Sequence, residues 1–197
     1  VGIFKGMDIN MPLEEMWATP PAQLAFIGNT WQTVIMIISL AGDTGLFGDM
    51  KLIGERYGVA ESVDDSRKTA LDLMAANPNL TGFLAFGSQG PIGAGRAIEE
   101  QRKIGAVHVL GPFSPGQGRD LVKSGAISGG FMWNPAEAGR VFVTMGKLLL
   151  DGTEIADGTE IEGLGVVHPD AAGKDIITDN LIAINADTVD GLADLGL

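Results

Sequence analysis

The stretch GFLAFGSQGPIGAGRAIEEQRK, residues 82–103, ends an apolar run in Gly87-Ser88-Gln89 and passes at once into a helical pattern. A turn of this kind offers a hydroxyl, an amide and backbone N–H groups to a phosphate, an acyl group or a sugar hydroxyl, or it serves only to turn the chain. The glycines at 87, 90, 93 and 95 do not fit G-x-G-x-x-G, and no lysine follows as in a P-loop, so a phosphate cradle is poorly supported. Ser88 lies in F-G-S-Q-G, one residue out of phase with a G-x-S-x-G nucleophile elbow. The chain has two histidines and no cysteine. His108 falls inside a strand pattern and reads as a core residue, and His168 sits in a loop before Pro169. Neither has neighbours in sequence that make a metal site or a catalytic triad, so no metal and no cofactor is expected.

Two further places put polar groups after apolar runs: Gly42-Asp43-Thr44 after residues 33–39, and Trp133-Asn134-Pro135 after residues 126–131. Asp, Gln and Asn supply the paired hydrogen bonds that neighbouring hydroxyls need, and an indole face suits the C–H side of a sugar ring. The set fits a neutral polyol better than an anion. Each residue also has a plain structural reading. Asp43 suits a helix cap, Ser88 and Gln89 suit a turn, Asn134 before proline suits a turn initiator, and Trp133 suits a core or hinge position. The case for a site rests on three such places at strand ends.

The elements that position them alternate. TVIMIIS (33–39) reads as a strand buried on both faces, followed by a helix around Leu46–Tyr57. Residues 64–76 have the spacing of an amphipathic helix with acidic residues in its first turn, ended by Asn77-Pro78-Asn79. GFLAFG is a strand, and 91–103 a helix with Ala94, Ala97, Ile98 and Gln101 on one side and Glu99 and Glu100 on an exposed face. Strands at 106–110 and 126–131 flank a short helix from Pro115 to Lys123. A helix over 135–150 starts with proline at its first position and stops at Asp151-Gly152. Residues 152–175 read as loop with a hairpin, and 180–186 as a last strand. This order predicts an α/β fold, a mostly parallel sheet with helices on both faces, and ligands in such sheets bind beyond the carboxyl ends of the strands.

The totals narrow the partners. With 45% hydrophobic residues the 197-residue chain has enough apolar mass for a core, which excludes global disorder. A net charge of −12 with no basic cluster argues against nucleic acid and anionic membrane surfaces. No apolar run is long enough to span a membrane, and no signal peptide is visible. Val1, in place of Met and with no capped element behind it, reads as the edge of a processed or trimmed chain.

Three stretches together resemble a known family: NPNLTGFLAFGSQGPIGAGRAIEEQRK, VHVLGPFSPGQGRDLVKSGAISGGFMWNPAEAGRVFVTMGKLLLDGTEI, and the ending IEGLGVV…NLIAINADTVDGL. Over residues 60–197 the chain is similar to the type I periplasmic substrate-binding proteins of sugar ABC transporters, especially the branch that binds autoinducer-2 or rhamnose. The resemblance implies the periplasmic-binding-protein-like I fold, with two lobes closing about a hinge on one sugar. It implies a non-enzymatic receptor that delivers its ligand to an ABC transporter permease. The location would be periplasmic, or extracytoplasmic on a lipid anchor. By the same resemblance Asp43, Thr44, Phe86 and Ser88 match ligand-contacting positions and Asn134 a polar position at the hinge crossing. Trp17 and Pro20 match the first crossing more weakly. Gln89 and Trp133 complete the candidate set. Residues 1–134 correspond mainly to the C-terminal ligand-binding lobe, and 135–197 to a hinge-crossing helix, loop and closing strand. Family members are longer, with most of the N-terminal lobe lacking here and the segment 31–59 compressed. Two other functions share the fold or the ligand: the effector domain of a sugar-responsive repressor, which expects a basic helix-turn-helix upstream, and a sugar-processing enzyme, which needs an acid/base pair.

Overall fold

The computed structural model describes residues 23–28, 51–162, 164–169, 176 and 181–197. Its elements are β1 (Gln23–Gly28), β2 (Lys51–Tyr57), α1 (Val63–Ala76), β3 (Gly82–Ala85), α2 (Gly90–Glu100), β4 (His108–Pro112) and α3 (Pro115–Ser124). There follow β5 (Gly129–Met132), α4 (Pro135–Leu150), β6 (Thr159–Ile161), β7 (Gly165–Val167), β8 (Ile182–Ile184) and α5 (Val189–Asp194).

Six strands form one sheet in the order β2-β1-β3-β4-β5-β8, and β1 to β5 are parallel throughout. Parallel neighbours need a crossover, and here α1, α2 and α3 supply those after β2, β3 and β4. From β2 to β5 the chain always advances in one direction across the sheet. Right-handed crossovers therefore lay these three helices on the same face. They pack in a row, α1 on α2 and α2 on α3, and α5 docks on α3. The core lies beneath this row. Ile27, Phe83, Val109 and Ile184 rise from the sheet to meet Leu73, Ile92, Ile98, Leu121 and Val189, all buried. Gly93 sits at a close approach of α1 and α2: a Cβ there would be 2.5 Å from the Val63 carbonyl oxygen.

The chain divides into two compact units. Among the described residues, the first takes in 23–28, 51–132 and 183–197, and the second 133–162, 164–169, 176 and 181–182. In the second unit β6 and β7 form an antiparallel hairpin with Ile161 and Val167 buried. Helix α4 contains no buried residue, and Phe142, Val143, Leu149 and Leu150 on it are exposed.

The expected alternation holds with shifts. Residues 51–57, expected in a helix, form strand β2 paired with β1. A parallel partner overrides local propensity there, and Gly54 in mid-strand faces Leu73. β4 starts two residues late because the N–H groups of Ala106 and Val107 both donate to the Lys103 carbonyl in a turn. β5 starts late as well, since the Ile127 N–H donates to Leu121 rather than to a strand. Gln101, grouped with the apolar side of α2, is exposed beside the buried Ala94, Ala97 and Ile98. The strand read at 33–39 lies outside the described residues. Helix 135–150 and the hairpin within 152–175 are as expected.

Candidate ligand-binding site

In the order β2-β1-β3 the chain first steps outward from β1 and then returns to β1's other side. That reversal places a topological switch point between β1 and β3, where open parallel sheets leave a crevice beyond the strand ends. Three of the candidate residues follow β3 at this point. The Phe86 N–H donates to Ile27 at 2.7 Å, which extends the β1–β3 pairing, and its ring meets Phe131 of β5 with centroids 6.2 Å apart. Gly87 then takes φ 131°, a conformation that side-chain-bearing residues rarely adopt, and this turns the chain sharply into Ser88.

Ser88 and Gln89 sit at the head of α2. The Ser88 hydroxyl donates to the Glu61 carboxylate (Oγ to Oε2, 2.8 Å). Gln89 is the N-cap of α2 by backbone position, but its side chain does not cap the helix. Instead its Nε2 donates to Ser88 Oγ at 3.2 Å and to Gln117 Oε1 at 3.1 Å. The loop from β2 is fastened to the same place: Gly58 N–H donates to the Gly28 carbonyl, and Gln89 N–H to the Ala60 carbonyl, each at 3.0 Å. Proline at Pro91 costs α2 nothing, since the first N–H groups of a helix have no internal partner.

Trp133 and Asn134 follow β5 and belong to the second unit. Trp133 is 59% exposed. Asn134 is the N-cap of α4: its Oδ1 accepts from the N–H of Ala136 at 2.9 Å and of Glu137 at 3.4 Å. That satisfies two of the orphan donors at a helix start and engages one end of the amide. Asp43 and Thr44, like Trp17 and Pro20, lie outside the described residues.

The structure thus gathers Phe86, Ser88 and Gln89 at one strand end and adds Glu61 and Gln117, which the sequence reading missed. Glu61 was hidden because the segment before it was read as helix, so no strand end was expected there. Gln117 was hidden in the first turn of α3. His108 Nδ1 pairs with Ser128 Oγ at 3.0 Å, and His168 Nδ1 with Asp157 at 2.6 Å. Among the described residues no group of three or more His, Asp or Glu side chains could hold a metal ion. None of their helices is long and apolar enough to cross a membrane.

An architecture with a parallel sheet, polar turns at its carboxyl edge and a second unit entered directly after β5 is what the comparisons match. Residues 28–154 match the family described as Periplasmic binding protein domain, and the chain belongs to that family. It has the periplasmic-binding-protein-like I fold. The solved structures it resembles include an ABC transporter solute binding protein from Clostridium phytofermentas with bound L-rhamnose (20% identity, TM-score 0.74, 93% of this chain and 62% of that one). A sugar ABC transporter protein from Actinomyces odontolyticus aligns at 20% identity and TM-score 0.73, over 90% of this chain and 59% of that one. LsrB from Clostridium saccharobutylicum in complex with AI-2 aligns at 11% identity and TM-score 0.72, over 93% and 64%. The chain spans about six-tenths of the length of these structures. No curated protein sequence matches it.

Proposed function

We infer that the chain is part of an extracytoplasmic receptor that binds a neutral sugar, or a small polyhydroxylated solute of the autoinducer-2 kind, and hands it to the permease of an ABC importer. The observation that carries this is the Gly87-Ser88-Gln89 turn at the switch point of a sheet in the periplasmic binding family. The named ligands of the structural relatives, L-rhamnose and AI-2, support a small polyhydroxylated solute. In this reading Phe86, Ser88, Gln89, Trp133 and Asn134 contact the ligand together with Asp43 and Thr44. Residues 1–134 act mainly as the C-terminal ligand-binding lobe, and 135–197 as hinge-crossing helix, loop and closing strand. Binding is reversible and without turnover.

The test is a thermal-shift screen followed by calorimetry with L-rhamnose, AI-2, D-arabinose and D-allose. A ligand at a hundred times its dissociation constant adds about 2.7 kcal/mol of stability, which a melt resolves readily. A saturable shift with one of the four, with no product formed, is the expected result. Steady conversion of any sugar, or no binding across the panel, overturns the reading.

A further inference from the structure

Residues Val189–Leu197, which carry α5, are fastened to both ends of α3. Toward the end of α3, Asp190 accepts hydrogen bonds from Arg119 Nε at 2.6 Å and Lys123 Nζ at 2.9 Å, and Arg119 Nη1 reaches Asp194 at 3.0 Å. At its start the Gly116 N–H donates to the Leu197 carbonyl oxygen at 2.8 Å. The first N–H groups of a helix have no partner within it, and the Ser114 side chain caps none of those of α3. The segment thus supplies a cap that α3 does not supply for itself. The end of α5 aims it there. Gly196 is left-handed (φ 81°), its N–H is given to Ala193 and the Leu197 N–H to Leu192, a Schellman turn that carries the Leu197 carbonyl back to Gly116.

The root of the segment is also fixed. Where the chain re-enters the first unit at Ala183, Thr188 Oγ1 donates to the Ala183 carbonyl at 2.9 Å, and Asn185 Oδ1 accepts from the N–H groups of Asp187 and Thr188. At the other end Gln117 follows Gly116 directly, and its Oε1 accepts from Gln89 Nε2 at 3.1 Å. A run of contacts therefore leads from β8 through α5 and the first turn of α3 to the Ser88-Gln89 turn, all within the first unit. Yet Val189 is the one buried residue among 189–197, and the side chains of Arg119, Lys123, Asp190 and Asp194 are 37–70% exposed. A segment with so little buried apolar surface opens locally at far less cost than the sheet, and exposed ion pairs weaken with salt.

We propose that Val189–Leu197 is a salt-responsive strap. Fastened, it holds the first turn of α3 so that Gln117 braces the Ser88-Gln89 turn; released, it loosens that turn while the sheet stays folded. Order at the switch point is thereby tied to ionic conditions and to the strand by which the chain re-enters the first unit. The strap acts on the turn whichever ligand binds, so its test needs no ligand.

The experiment is amide hydrogen exchange followed by NMR on the full chain. The variants are Asp190→Asn, Gln117→Leu, the two combined, and Arg67→Gln, which breaks an exposed pair between α1 and α2 outside the strap. Asp190→Asn should speed exchange about threefold to tenfold at Gly116, Gly118, Gln89 and Gly90, the scale of two exposed ion pairs lost together, and leave Phe83 and Val109 unchanged. Raising salt from about 0.05 M to about 0.5 M should reproduce this pattern in the wild type and add little to it in Asp190→Asn. Gln117→Leu should speed Gln89 and Gly90 but not Gly116, and in the combined variant Asp190→Asn should no longer act on Gln89 and Gly90. Arg67→Gln should alter none of the four. Faster exchange confined to Gly116 and Gly118, an equal rise at Phe83 and Val109, the same rise in Arg67→Gln, or no change at all overturns the proposal and leaves the receptor reading standing.

Discussion

Substituting Gly93 by alanine tests the helix packing that positions the Ser88 turn. In an open helix interior, Gly→Ala stabilises by about 1 kcal/mol through backbone entropy. At Gly93 the added Cβ would lie 2.5 Å from Ser66 Cβ, 2.5 Å from the Val63 carbonyl oxygen and 2.7 Å from the Arg67 nitrogen. Ordinary carbon contacts sit at about 3.5–4.0 Å, so α1 and α2 must part by on the order of 1 Å. Two of the three obstructing atoms are backbone and cannot rotate aside. Overpacking of this kind costs about 1–3 kcal/mol. Set against the entropic gain, this leaves a net loss of about 1 kcal/mol, seen as a drop in Tm of roughly 2–4 °C. Gly191→Ala is the control within the same unit: nothing lies within 4 Å of a Cβ there, so the same chemical change should be neutral or stabilising by up to about 1 kcal/mol. Urea and thermal melts of both variants under one buffer give the comparison. Gly93→Ala as stable as the wild type would falsify the close approach of α1 and α2 and the reasoning built on it.

Three other outcomes are expected. Phe83 is fully buried in β3, so Phe83→Ala should cost about 3–5 kcal/mol by urea denaturation, and a loss below 1 would contradict its place in the core. Asn134→Ala removes the N-cap of α4 and should cost about 1 kcal/mol with lower helicity by circular dichroism, while Asn134→Ser should recover most of it; equal melts for all three would show that the cap contributes nothing. Hydrogen bonds from Lys123 and then Arg119 hold the Asp190 carboxyl below its ordinary range. A depressed folded pKa gives stability that is present above the unfolded value and lost as pH falls through the folded one. Asp190→Asn should therefore flatten the acid limb of the Tm-against-pH curve, and an acid limb as steep as the wild type's would count against the clamp of α5 on α3.

Much of the fold was legible because its signals are local. The Asn77-Pro78 stop after α1, proline at the first turn of α4 and the apolar run GFLAFG that holds β3 are all written within a few residues. What was not legible depended on partners distant in sequence. β2 contains Glu55 and Arg56 and reads as helix until β1 pairs with it. β1 itself, Gln23–Gly28, is short and passed unnoticed, and α5 was hidden in a polar ending whose footing is Arg119 and Lys123. For the candidate site, Ser88 and Gln89 stood out by their turn. Glu61 and Gln117 did not, because a hydrogen-bonded line across three strand ends has no spacing in sequence. It exists only once the strand order is known.

The placement of β1 between β2 and β3 also orders events in time. Both of its neighbours are synthesised later, the nearer ending at Tyr57 and the farther at Ala85. Until then β1 has two unpaired edges, a template for pairing with other chains. The run β3-α2-β4-α3-β5 needs only near neighbours and should become protected first, with β1 locking in late, since distant pairings form slowly. Pulsed hydrogen exchange during refolding should show amide protection at Phe83 and Val109 before Ile27. The switch-point crevice would then be among the last parts to form, and a nascent chain stalled before residue 85 would be the form most prone to associate.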